Sequence, residues 1–311
     1  MPDPSLTDPS LTDSSLTTPS LLVSADHANR AANNSAVGVF DSGVGGLSVV
    51  QHIRRLLPAE SILYFADSGF APYGDKTEAA IIERSLAAAD FLVQKKIKAL
   101  VIACNTATAA AVATLRQRYP ELIIVGIEPG LKPAALQSKA KVVGVLATRS
   151  TLQSQKFKQL SEQLSAETGV RFISEACTGL ADQIEKAELS SDQTMLLVRR
   201  YVTPLLAQGA DTLVLGCTHY PFVAHLIRQL ISATPATTPA SAHRDVQLID
   251  TGLAVARRLQ RLLEQAHLLN PTINAAAPLL TWTTGSTSNV DYALARILKL
   301  PKNECNSQAV V

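Results

Sequence analysis

Two segments, ALVIACNTA around Cys104 and TLVLGCTHY around Cys217, each end an apolar run on a cysteine and follow it with amide, hydroxyl or imidazole side chains. A thiol with its ordinary pKa of about 8.5 becomes a base or nucleophile only where something favours the thiolate. His219, two positions after Cys217, can do that, and so can the amino terminus of a helix opening after Cys104. Taken singly, either cysteine reads equally well as a small core hydrophobe. Asn105, Thr106, Thr218 and His219, however, are costly to bury without partners. Their recurrence beside both thiols therefore points to a place that receives a polar ligand. Asp41 and Ser42, which close another apolar run, add an orienting group or proton relay.

FDSGVGGLSVV places Gly43, Gly45 and Gly46 between that run and a helical stretch. It has neither G-x-G-x-x-G spacing nor the lysine of a phosphate-binding loop, which argues against a nucleotide. Its backbone N–H groups can receive a carboxylate instead, or the glycines can serve only a tight turn. APYGDK reads as a turn at Pro72, Tyr73 and Gly74, with the tyrosine hydroxyl as its chemical half.

These residues need elements to hold them. β-Branched runs at 36–40, 61–65, 99–103, 122–126, 142–146, 212–216 and 246–249 alternate with longer helical stretches such as LSVVQHIRRLL. Continuous apolar strands joined through helices predict α/β architecture with parallel sheets covered on both faces. Ligands in such sheets sit beyond the carboxyl ends of the strands, where Asp41-Ser42, Asp67-Ser68, Cys104-Asn105-Thr106, Glu128, Thr148, Cys217-Thr218-His219 and Asp250-Thr251 lie. Two α/β units with facing strand ends would bring both sulfurs into one cleft.

Charge and composition exclude other classes. The net charge is +2 with no basic cluster, so nucleic acid is not expected as the primary partner. The four cysteines, at 104, 177, 217 and 305, form no C-x-x-C framework, which fits a reducing compartment and no zinc ribbon. No apolar run is long enough to span a bilayer and no secretory signal pattern opens the chain, so a soluble cytoplasmic protein without a membrane partner is expected. Residues 2–21 repeat PDPSL-like units with one leucine each and read as part of a disordered tail over 1–35; ATPATTPASAHRD, from Ala233 to Asp245, reads as a long loop or insertion.

VGVFDSGVGGLSVV, APYG, VIACNTATA, GIEPGLKPA, LVLGCTHYPF and the later WTTGS, in unbroken order from about Val37 to about Leu300, resemble the aspartate/glutamate racemase superfamily and, within it, the bacterial glutamate racemases. The resemblance implies two Rossmann-like parallel-sheet domains with the active site in the cleft between them: 36–130 plus about 246–311, and 131–245. It further implies racemisation of glutamate for peptidoglycan synthesis without a cofactor or metal, in a homodimer. Residue by residue, it makes Cys104 and Cys217 the catalytic thiols, with Cys104 acting on D-glutamate and Cys217 on L-glutamate. Asp41, His219 and Glu185 become assisting groups. Ser42, Tyr73, Gly74, Asn105, Thr106, Thr148 and Thr218, with Asp41 and His219, become substrate contacts. Two departures stand out: Ser68-Gly69-Phe70 replaces the family's usual T-A-R after the aspartate, and Thr178 replaces a common proline. An aspartate or hydantoin racemase would keep both thiols and change the pocket. A binding module would not need them, and a zinc hydrolase using Cys104, Cys217 and His219 lacks an assignable fourth ligand.

Overall fold

The computed structural model describes residues 35–233, 245–271, 277–301 and 304–310. The repeat at 2–21 and most of the Ala233–Asp245 segment lie outside these residues. Among the described residues ten strands are β1 (Val37–Asp41), β2 (Ile62–Ala66), β3 (Ala99–Ile102), β4 (Ile123–Gly126), β5 (Val142–Ala147), β6 (Arg171–Ala176), β7 (Thr212–Gly216), β8 (Gln247–Ile249), β9 (Leu279–Thr283) and β10 (Ser307–Ala309). They form two sheets, ordered β10-β9-β2-β1-β3-β4 and β6-β5-β7-β8. All pairings are parallel, as the unbroken apolar runs predict.

The strand order fixes where chemistry can happen. From β1 the chain moves to one side for β2, then returns to the other side for β3; β5, β6 and β7 repeat this move in the second sheet. Each reversal opens a crevice at the carboxyl ends of the two strands that flank it. In the first sheet those ends carry Asp41-Ser42 and Cys104-Asn105-Thr106. In the second they carry Thr148 and Cys217-Thr218-His219. The likeness of the two cysteine segments thus reflects equivalent positions in two sheets of the same order.

Each sheet is covered on both faces because side chains alternate along the strands. Val37 and Val39 point toward Val50, Ile53 and Leu259, while Phe40 points the other way, toward Leu92 and Leu100. In the second sheet Leu213 and Leu215 pack with Val202 and Leu205, and Val143 and Val145 with Leu131 and Phe157. The run at 246–249, expected to begin the return to the first domain, instead pairs with β7 as the edge of the second sheet. Helix Gly252–Gln265 makes the return, burying Val255, Leu259 and Leu263 in the first core. Below the first sheet, Lys98 and Glu60 form a buried ion pair at 2.6 Å, and the same ammonium donates to the Leu268 carbonyl at 2.7 Å. No helix among the described residues is long and apolar enough to cross a membrane.

Candidate active site

Cys104 owes its position to the helix that follows it. NTATAAAVATLRQR (Asn105–Arg118) is rich in alanine, has Arg116 and Arg118 in its last turn, and stops before Tyr119-Pro120. Cys104 is its N-cap, and its sulfur accepts the Ala107 N–H at 3.4 Å. The sulfur also lies 3.7 Å from the Ser42 hydroxyl. Helix terminus and hydroxyl favour a thiolate, but burial and the neighbouring Asp41 oppose it more strongly. The Cys104 thiol is pushed up to about 12.

Cys217 stands at the corresponding end of β7, with its sulfur 3.5 Å from His219 Nδ1. The other ring nitrogen, Nε2, is 2.6 Å from Glu185 Oε1. Burial works against an imidazolium here, yet contact with Cys217 and Glu185 holds the His219 pKa well above its ordinary value. Glu185 comes from the short helix Leu180–Glu185 and binds across to the first sheet's loops. Its Oε1 also accepts the Val44 N–H at 2.7 Å, and Ser68 Oγ donates to Oε2 at 3.4 Å. The N–H groups after β1 therefore do receive a carboxylate, and it is the protein's own. A side chain there would displace both groups: a Cβ on Gly43 would lie 1.9 Å from Glu185 Oε1, and one on Gly45 would lie 2.3 Å from His219 Nδ1.

Between the thiols is a cavity of about 20 Å³, bordered by Ser42, Tyr73, Gly74, Cys104, Asn105, Thr106, Thr148, Glu185, Cys217, Thr218 and His219, together with Ala71, Pro72 and Ala181. Every residue that the resemblance assigns to catalysis or substrate contact, except Asp41, lines it. Asp41, expected to touch substrate, is fully buried behind the lining. It accepts the Gly43 N–H and the Thr218 hydroxyl, each at 2.9 Å, and burial raises its pKa. In this arrangement its carboxylate fixes Thr218 and the glycine loop. Tyr73 also has its polar atom engaged within the protein. Its ring lines the cavity, but its hydroxyl donates to Asp67 at 2.5 Å. Asp67 in turn takes two bonds from Arg84, at 2.7 and 2.9 Å, and Arg84 lies 3.6 Å over the Phe70 ring. The segment Ser68-Gly69-Phe70 is thus packed by an arginine from a neighbouring helix.

The remaining polar lining links the two sheets. The Thr106 and Thr148 hydroxyls meet at 2.9 Å, and Thr151 bonds Thr148 at 2.9 Å. Both polar atoms of the Asn105 side chain are buried with no hydrogen-bond partner among the described residues. Such a group calls for an explanation, and a polar ligand in the adjoining cavity supplies one. Elsewhere, Glu128 pairs with Lys156 and Asp250 with His52, outside the cavity. Among the described residues no group of three or more His, Cys, Asp or Glu is placed to hold a metal.

Sequence reasoning missed Ser48, whose hydroxyl donates to the carbonyls of Gly45 and Thr218, both at 2.9 Å. It also missed Tyr64, whose hydroxyl donates to the Gly43 carbonyl at 2.6 Å. A serine on the apolar face of LSVVQHIRRLL and a tyrosine inside the buried run SILYF are the signals that could have found them.

Known proteins similar to this chain share one family and fold. Residues 37–259 match the family model for Asp/Glu/Hydantoin racemase. The glutamate racemase of Pseudomonas syringae pv. tomato is 49% identical over 270 residues, covering 87% of this chain and 93% of that protein. Among solved structures, a glutamate racemase isoform from Bacillus anthracis superposes with a TM-score of 0.76 at 32% identity, covering 90% of this chain and 98% of the other. The Francisella tularensis glutamate racemase, crystallised in complex with D-glutamate, gives a TM-score of 0.72 at 28% identity over 90% and 98% of the two chains.

Proposed function

This chain belongs to the Asp/Glu/hydantoin racemase family, and from that premise we propose that its isomerase activity, the racemisation of glutamate, runs on Cys104 and Cys217 as a pair of acid-base groups. Inverting Cα means removing its proton from one face and delivering one to the other, which a single base reaches poorly. The observation that carries this reading is that both thiols border one cavity, each from the switch point of a different sheet. With L-glutamate, the Cys217 thiolate takes the Cα proton and the Cys104 thiol donates one on the opposite face. In the other direction the roles exchange. A Cys104 thiol pushed up to about 12 suits the donor role. His219 raised well above its usual value suits an imidazolium that favours a thiolate on Cys217. Glu185 holds that imidazole by Nε2 and so turns Nδ1 toward the sulfur.

The reading includes no cofactor. Among the described residues the cavity lining contains no lysine that could form a Schiff base; in this reading fixed dipoles stabilise the developing carbanion. Ser42, Asn105, Thr106, Thr148 and Thr218 supply neutral donors for the two carboxylates, with the orphaned Asn105 amide foremost. A space of about 20 Å³ holds roughly one water. Substrate therefore requires the two halves to part, in keeping with the relative motion expected across modest inter-domain contacts. The product D-glutamate would feed peptidoglycan synthesis in the cytoplasm, from a homodimer. Circular dichroism of purified protein with L-glutamate and no added cofactor tests the reading. Racemisation that requires an added cofactor, or that persists when both thiols are replaced, contradicts it.

A further inference from the structure

Two open grooves share a wall with the catalytic cavity. One, of about 620 Å³, is bordered by Lys76, Thr106, Ser150, Gln153 and Lys156, with Glu78 its only carboxylate. The other, of about 640 Å³, is bordered by Lys186, Ser288 and Arg296 against Glu185 and Glu188. Thr106 is common to the first groove and the cavity, and Glu185 to the second groove and the cavity. A cavity with room for about one water cannot admit a five-carbon amino acid unless a wall gives way, and these two border the large open grooves.

What fastens each wall decides between them. The Glu185 wall is held by a carboxylate that accepts from Val44 N–H at 2.7 Å and contacts His219 Nε2 at 2.6 Å. Bonds to an ionised group are roughly twice as strong as neutral ones. Opening there would also strip His219 of the group that orients it. The Thr106 wall is closed by neutral groups alone: Ser150 Oγ donates to the Gly74 carbonyl at 2.6 Å, and the Thr106 and Thr148 hydroxyls meet at 2.9 Å. None of these contacts includes a thiol or the imidazole. Lys76, two residues past Gly74, borders this groove and has no ion-pair partner among the described residues, whereas Lys156 is engaged by Glu128. An unpaired cation beside the gate draws in an anionic substrate.

We propose that the groove beside Lys76 is the vestibule through which an α-amino dicarboxylate reaches the cavity, and that the Ser150–Gly74 and Thr106–Thr148 contacts are its gate. The proposal rests on the reading that Cys104 and Cys217 face the substrate, but its test does not depend on turnover. The probe is iodoacetate, a small carboxylate that alkylates thiols. Labelling of Cys104 and Cys217 is followed by peptide mass spectrometry, with the partly exposed Cys305 as internal reference. Gln153→Trp, at an exposed position on the groove, should slow labelling of the two cavity thiols about fivefold or more relative to Cys305. Ser288→Trp, on the other groove, should leave it unchanged. Lys76→Glu should slow iodoacetate more than neutral iodoacetamide, and added salt should narrow the gap. No slowing by Gln153→Trp, slowing by Ser288→Trp, or equal effects of Lys76→Glu on the two reagents overturns the proposal. If the thiols label as expected while neither supports racemisation, it is the catalytic reading that fails.

Discussion

Replacing Glu185 with Gln keeps the shape of the side chain and one acceptor oxygen while removing the charge. The two short contacts of Oε1, with Val44 N–H at 2.7 Å and His219 Nε2 at 2.6 Å, then change from charge-assisted to neutral bonds. Charged hydrogen bonds contribute about 1.5–3 kcal/mol and neutral ones about 0.5–1.5, so the change removes about 1 kcal/mol from each, or about 2 kcal/mol together. If that stabilisation serves to keep His219 charged beside the Cys217 thiolate, kcat/KM should fall about thirtyfold. The fall must be equal from L- and D-glutamate, because the equilibrium constant between enantiomers is one. Stability carries a second signature. His219 has a folded-state pKa well above its ordinary value, so its contribution to stability is complete below about pH 6.5 and disappears as pH rises through the raised value. Glu185→Gln lowers that folded value, so its stability loss should be largest near pH 6 and shrink in alkali. Initial rates by circular dichroism and denaturant unfolding at several pH values provide the assays. A kcat/KM within threefold of the unsubstituted protein, or a stability loss that grows with pH, refutes the reasoning.

Other buried groups carry three further expectations. Because burial pushes the Cys104 thiol up to about 12, its alkylation by iodoacetamide should rise about tenfold per pH unit between about pH 7 and 10; a plateau below about pH 9 would show a thiolate already formed at rest. Lys98→Ala leaves Glu60 charged and buried without its 2.6 Å partner, and should cost about 3–5 kcal/mol in urea unfolding, with the Lys98→Ala/Glu60→Ala double variant losing less than the sum. Aspartate, one methylene shorter, cannot satisfy both sets of carboxylate donors and leaves groups such as Asn105 unpaired, so its kcat/KM should be at least about tenfold below that of glutamate; equal values would contradict the glutamate pocket.

Much of the cavity lining was legible because buried parallel strands appear as unbroken apolar runs, and the residues just after such a run stand at the carboxyl edge of the sheet. Cys104, Cys217 and their polar neighbours were found that way. β6 was missed because RFISEA, on a sheet edge, is partly exposed and carries the charged Arg171 and Glu175 in place of an unbroken apolar run. β10 is only SQA, too short to show a pattern. The partnership of Glu185 with Val44 spans 141 positions; no local pattern encodes it, and only the resemblance pointed to Glu185 at all. Residue type told that Asp41 and Tyr73 matter but not which way they point. In the structure the Asp41 oxygens accept from the Gly43 N–H and the Thr218 hydroxyl, and the Tyr73 hydroxyl donates a hydrogen bond to Asp67.

The two-thiol account is tested most directly by Cα deuterium incorporation in D₂O, followed by NMR, for Cys104→Ser and Cys217→Ser with each pure enantiomer. Both variants should lose racemisation, since each leaves one face with a far weaker base. Exchange should nevertheless survive one-sidedly: Cys104→Ser should still exchange L-glutamate through Cys217, and Cys217→Ser should still exchange D-glutamate through Cys104. Near-normal racemisation by either variant would contradict a mechanism that needs both thiols, and equal residual exchange from both enantiomers would contradict the assignment of one face to each.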